Sequence, residues 1–196
     1  MAEIEIPDPH EVKEKAENPF TRQIALFVAV YAVGLAVASF GGHNAAKEMM
    51  MAKQEEANQW NRYQSKSTRE ALYRNEIWKL EEEEKAGPLP PFKAALLKKY
   101  RDEERRMKED KKEIEEGDKG ARHHQQVVAL MQRKDPYFDF AEVGFQLAIV
   151  MASVAMLAEK KWAFWASVAI GVASLLLTVN GFFLFAAVPG FEDAPH

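Results

Sequence analysis

Three stretches without a single Asp, Glu, Lys or Arg, at residues 24–40, 144–158 and 162–191, constrain this chain more than any other feature. A helix rises ~1.5 Å per residue, so each is long enough, or nearly so with its flanks, to cross a ~30 Å hydrocarbon layer. Almost every other segment is dense in charge. Over the whole chain, 47% hydrophobic and 29% charged residues would pass for an ordinary soluble domain, but a soluble fold mixes the two classes and this chain separates them. The segregation predicts an all-α membrane protein with transmembrane helices at residues 20–42, 138–158 and 162–187, and a long charged helical hairpin between the first and second.

A cleaved signal peptide is the rival reading of the first span, because Ala36-Val37-Ala38 has the small residues of a cleavage site. The acidic, proline-broken residues 1–19 and the length of the apolar run speak against it. That polar N-terminal tail buries too little apolar surface to order itself, and the same reading applies to the short tail at 188–196 after Pro189.

After Gly41-Gly42 the composition turns to Ala, Met, Glu, Lys and Gln, strong helix formers, and one helix is predicted to continue to about Lys85. Gly87-Pro88-Leu89-Pro90-Pro91 then forces a turn at 86–91: the prolines remove backbone donors and Gly87 suits a left-handed cap. The returning helix, predicted over 92–134, carries Tyr100, Met107, Ile114, Ala121 and Val128 at every seventh position. Such a row seeks a partner along one narrow seam. Met50, Ala57, Trp60, Ala71 and Trp78 offer the counterpart on the outgoing arm, so an antiparallel, coiled-coil-like hairpin occupies residues 43–137. Its seam is weak, since Glu104, Lys111, Asp118 and Gln125 alternate with the apolar residues, and Gly117 and Gly120 each cost ~1 kcal/mol inside a helix.

No catalytic or ligand-binding constellation stands out, and neither an enzyme nor a cofactor is expected. A net charge of −4 leaves no surplus of Lys and Arg for nucleic acid. With Cys 0, disulfides and thiolate chemistry are excluded. His43, His123 and His124 are the nearest approach to a metal site, but adjacent histidines point ~100° apart on a helix and no ligand-type spacing joins the three. Glu142 reads as an interfacial acid that complements a helix start, in preference to a proton relay. Gln146, Ser153, Ser167, Ser174, Thr178 and Asn180 are the polar residues deeper in the spans, and Ser167 with Gly171 has the small-x-x-x-small spacing of close helix packing. The short loop Glu159-Lys160-Lys161 favours a cytoplasmic side, which places the N-terminus in the cytoplasm and the hairpin outside it. Lys47, Arg133 and Lys134 at the hairpin base pull the other way.

The run from Gly41-Gly42-His43-Asn44 into Trp60-x-x-Tyr63-Gln64-x-Lys66-Ser67 resembles an uncharacterised bacterial membrane family, the domain-of-unknown-function family four-three-three-seven. The resemblance extends over nearly the whole chain. It implies a bacterial inner-membrane protein with three spans and one long loop, and brings no activity or site with it. Trp60, Tyr63, Gln64 and Ser67 fall at i, i+3, i+4 and i+7, one helical face, and are expected to fill the hairpin seam and set its register. The function expected from all this is a non-enzymatic membrane scaffold or accessory subunit, embedded in lipid and either homo-oligomeric or part of a larger complex, with the hairpin as docking surface. The alternatives are a small oligomeric channel or transport module, and a metal-dependent enzyme at the hairpin base.

Overall fold

The computed structural model describes residues 19–187, so the polar tails at 1–18 and 188–196, Pro189 included, lie outside the described residues. The described chain is all-helical: α1 (Pro19–Ala86), α2 (Pro91–Glu116), α3 (Ala121–Ala158) and α4 (Lys161–Phe183). Three helices are long and apolar enough to cross a membrane, with the apolar segments in α1, α3 and α4. The helices distribute over two compact units, one of residues up to Ala46 and from Met131 onward, the other Lys47–Leu130.

In the first unit α1 buries Ile24, Tyr31 and Ala38, one residue in seven, against α3 and α4. From α3 come Ala141, Phe145, Ala148, Ala152 and Ala155 at steps of three and four, and from α4 Ala163 and Phe164. In a hydrocarbon surround no hydrophobic force would drive helices together, and the small residues here allow the backbones to approach closely enough for packing to do so. The large rings seat on glycines of neighbouring helices. A Cβ on Gly34 would lie 2.5 Å from Cζ of Phe145, one on Gly171 would collide with the ring of Tyr31, and one on Gly181 would meet Phe138 at 2.9 Å. Phe164 receives Phe27 edge-on at 5.2 Å. The opposite faces expose Leu26, Val33, Leu147, Val150, Leu176 and Phe183, as surfaces that face lipid do.

Two expectations need correction here. The second apolar segment does not begin a helix: α3 starts at Ala121 and runs through Pro136. The helix formers on either side carry it past the one lost hydrogen bond. Glu142 therefore lies deep within α3 and has no helix N-terminus to complement. The last helix ends at Phe183, four residues short of 187, because Leu184 turns left-handed at φ 50° and donates its N–H to the Asn180 carbonyl at 2.7 Å. Between α3 and α4 the turn is as short as expected, with Glu159 at φ 52°, a conformation that costs about 1–2 kcal/mol at a non-glycine residue.

In the second unit Ile77, Leu80 and Leu97 form a small apolar cluster beside Leu89, Leu96 and Tyr100. Gly87 takes no left-handed cap, contrary to expectation. Its N–H reaches the Glu84 carbonyl at 3.3 Å, and the prolines alone stop α1, with Pro91 opening α2 at the first helical position, where no intrahelical donor is missed. The return is likewise not one helix over 92–134. It breaks at residues 117–120, where Gly120 donates to the Gly117 carbonyl at 2.7 Å. A Cβ on Gly120 would lie 2.8 Å from the Glu115 carbonyl oxygen, so the turn closes only around a residue without one.

The row that α1 buries also differs from the apolar residues expected. Met50 and Trp78 are 74% and 63% exposed, and Ala57 and Ala71 are exposed too. The buried or half-buried residues instead continue the sevenfold row of the first unit through Ala45, Ala52, Gln59, Lys66, Tyr73 and Leu80. The cause is the chemistry of α2. Its Asp110 pairs with Lys66 on that row, and its Lys111 and Glu104 pair with Glu70 and Arg74, four places past Lys66 and past Glu70, ions that would be left without partners against a wholly apolar face.

Candidate functional site

The segment from Trp60 to Ser67 lies in the second unit, where Lys66 lines a groove of about 500 Å³ together with Gln59, Arg62, Asp110, Glu113 and Gly120 among others. It forms because a helix that repeats every seven residues keeps Gln59 and Lys66 on one side, while the tight turn at 117–120 leaves room beside Ile114. Lys66 Nζ donates to Asp110 at 2.5 Å. That hydrogen bond, with the positive charges of Lys66, Arg106 and Arg62 around it, holds the Asp110 carboxyl below its ordinary range. Gln59 accepts from Arg62 at 3.2 Å and donates to Glu55 at 3.3 Å.

One turn further along α1, Glu70 is the buried charge of the unit, 5% exposed. It accepts from Lys111 at 2.5 Å and is paired also with Arg74, which reaches Glu104 at 3.4 Å. Glu104 takes Lys108 at 2.9 Å, and the hydrogen bond from Lys108, ahead of that from Arg74, lowers its pKa. Lys111 stands 5.2 Å from the ring centroid of Tyr63, itself edge-on to Trp60 at 5.4 Å. The result is a connected polar core: Trp60, Tyr63, Lys111, Glu70, Arg74, Glu104, Lys108. Chemically it satisfies charge with charge. Lys66 with Asp110 and Lys111 with Glu70 neutralise one another, an arrangement that fixes how two helices meet.

Of the residues singled out in the sequence, Trp60, Tyr63, Ser67 and Tyr100 are half-buried, Gln64 is exposed, and Met107, Ile114, Ala121 and Val128 are buried. Gln64 thus lies off the face shared by Trp60, Tyr63 and Ser67, since a repeat of seven on α1 puts it five places past Gln59 and away from the buried row. Further contacts join α1 to the rest of the unit: Gln125 donates to Glu56 at 2.9 Å and Arg101 to Glu81 at 2.7 Å, and Lys93 pairs with Glu83. With Lys66 to Asp110 and Arg74 to Glu104 these make a series in which one residue number rises as the other falls.

His43 and His123 are exposed and His124 half-buried, its ring 5.5 Å from that of His123. Among the described residues no group of three or more His, Asp or Glu is placed to hold a metal ion. In the first unit Ser167 donates to the Ala148 carbonyl at 2.9 Å, tying α4 to α3 beside the Gly171 seat. Ser174 and Thr178 bond to their own helix, at Ile170 and Ser174. Asn180, expected as packing glue, does something else: its side chain donates to the Ala186 carbonyl at 2.7 Å and accepts from the Ala186 N–H at 2.9 Å, clasping the chain as it leaves α4.

Sequence reasoning missed Gln59, Glu70 and Asp110. The signal for Gln59 was present in the sevenfold row that begins at Ile24, had it been followed out of the apolar segment without requiring each member to be apolar; Glu70 stands four places past Lys66, off that row. Asp110 had no signal of its own.

The profile of the family described as Domain of unknown function (DUF4337) matches residues 20–184. No curated protein and no solved structure matches the chain.

Proposed function

We propose, from the premise that the chain belongs to the DUF4337 family, that it is a non-enzymatic integral membrane scaffold or accessory subunit. In this reading the second unit is an antiparallel, coiled-coil-like helical hairpin that docks a partner. The protein resides in a bacterial inner membrane, with the N-terminus cytoplasmic and the hairpin periplasmic, and acts as a homo-oligomer or within a larger complex. The opposed order of the α1 and α2 ion pairs supports the hairpin. The basic residues at Lys160 and Lys161 support the orientation.

The observation that carries the docking role is the composition of the second unit. Its buried apolar residues are few, and apart from the Glu70 and Lys66 pairs its ion pairs each include an exposed side chain, where screening leaves them little worth. Met50, Leu72, Trp78 and Phe92 meanwhile stand outside. A unit so lightly held gains stability from whatever covers those side chains.

Extraction from native membranes in mild detergent, followed by native mass measurement and amide exchange, tests the proposal. A mass above that of one chain, or a stoichiometric second polypeptide, is expected. A lone monomer whose residues 47–130 are nonetheless fully protected from exchange refutes it.

A further inference from the structure

Between Met50 and Trp78 the outward face of α1 in the second unit carries no charge. Ala57, Asn61, Gln64, Thr68, Ala71 and Asn75 follow one another at alternating steps of four and three, and all are exposed. Met50 with Gln54 begins the series and Trp78 ends it, with the same alternation throughout. Every charged residue between 50 and 78 falls on other rows of the helix. Alternating steps of three and four are the spacing of a coiled-coil seam, here with uncharged polar residues between Met50, Ala57, Ala71 and Trp78, and it is distinct from the row that α1 already buries or half-buries, Ala52, Gln59, Lys66, Tyr73 and Leu80. At ~103° per residue the two rows lie on opposite sides of the helix. A merely solvated face in so charged a chain carries Lys and Glu; this one carries alanine, amides and a tryptophan.

We infer that this face of α1 is the contact between two copies of the chain, which pair through it in parallel and in register. The inference rests on the docking role proposed above and names the partner. Charge identifies that partner. In a twofold contact each row meets its own copy, so any charged residue on the row would face its like. The absence of charge along ~42 Å of helix removes that repulsion, whereas a partner with a charged helix would find no ion for its own. Copies inserted in one bilayer share an orientation and present the same helix in the same sense. In a parallel pairing Gln54, Asn61, Thr68 and Asn75 take the positions at which a buried asparagine fixes register and limits the assembly to two strands, with Ala57 and Ala71 at the intervening positions.

The chain contains no cysteine, so single substitutions in the full-length protein in native membranes report without background. Ala57→Cys and Ala71→Cys are expected to form disulfide-linked dimers on mild oxidation, at least ~10-fold more than the exposed controls Arg69→Cys and Lys98→Cys, because bridging needs Cα atoms within ~7 Å. Membranes containing both Ala57→Cys and Gln64→Cys chains are expected to give only like-to-like dimers, and Asn61→Leu with Asn75→Leu is expected to let the mixed dimer appear. Equal crosslinking at the controls, or no dimer at positions 57 and 71, overturns the inference. If these cysteines capture a different polypeptide, self-pairing fails and the docking role survives; if nothing is captured and the protein is a monomer, both fail.

Discussion

Replacing Glu70 by Gln tests whether the polar core orders the second unit. Glu70 is nearly buried, and its two cations differ: the Lys111 side chain is 19% exposed and that of Arg74 61%. A hydrogen bond to a charged group is worth ~1.5–3 kcal/mol when shielded. The Arg74 contact is screened to ~0.5 kcal/mol or less, and Arg74 keeps Glu104. Lys111 loses its carboxylate but retains the Tyr63 ring, worth ~0.5–1 kcal/mol. The net loss is therefore ~2 kcal/mol, which lowers amide-exchange protection about 30-fold, since ~1.4 kcal/mol is a factor of ten. The assay is exchange read by mass spectrometry on the full chain in lipid nanodiscs, following peptides that cover 62–74 and 104–114. Lys111→Met combined with Glu70→Gln is expected to cost less than the two single changes together by ~1–2 kcal/mol. Glu82→Gln, which breaks an exposed pair with Lys85, is expected to leave protection unchanged. Protection within ~0.3 kcal/mol of the parent in Glu70→Gln, or strict additivity with Lys111→Met, refutes the reasoning.

Acidification acts on the same unit. Asp110 and Glu104 have lowered folded-state pKa values, so their contribution is complete above the ordinary carboxylate range and is lost as pH falls through the lowered values; exchange around 62–66 and 104–110 is expected to quicken below about pH 4 and to be unchanged between about 6 and 8. In the first unit, Gly171→Leu drives a side chain into the Tyr31 ring and is expected to cost ~1–3 kcal/mol, seen as a lower unfolding temperature in detergent. Asn180→Ala removes both bonds to Ala186, ~1 kcal/mol each, and is expected to raise exchange at 184–187 while leaving the middle of α4 unchanged.

The apolar helices were legible because a missing charge over some twenty residues has few other meanings. The turn at 87–90 was legible from its prolines. The row that α1 buries was not, because hydrophobicity pointed to Met50 and Trp78 while ion pairing with α2 turned Lys66, and Glu70 beside the row, toward Asp110 and Lys111. That choice depends on which residues of α2 arrive opposite, which no local pattern in α1 encodes. The continuity of α3 through Pro136 was hidden for a related reason: a proline argues for a boundary, and only the neighbouring turns decide whether the helix absorbs it. Asn180 looked like a packing residue, since nothing in its neighbourhood announces that Ala186 returns to meet its amide.

The seating of aromatic rings on glycines bears on how sequences of this kind diverge. Where Phe145 fills the space that a side chain at position 34 would need, neither residue is at liberty to drift by itself: a larger residue at 34 requires a smaller one at 145. The same holds for Tyr31 with Gly171 and for Phe138 with Gly181. Inheritance along this bundle is thus expected to proceed in couples, large with small exchanged for small with large, so that a comparison of many relatives would recover its helix contacts from paired substitutions alone.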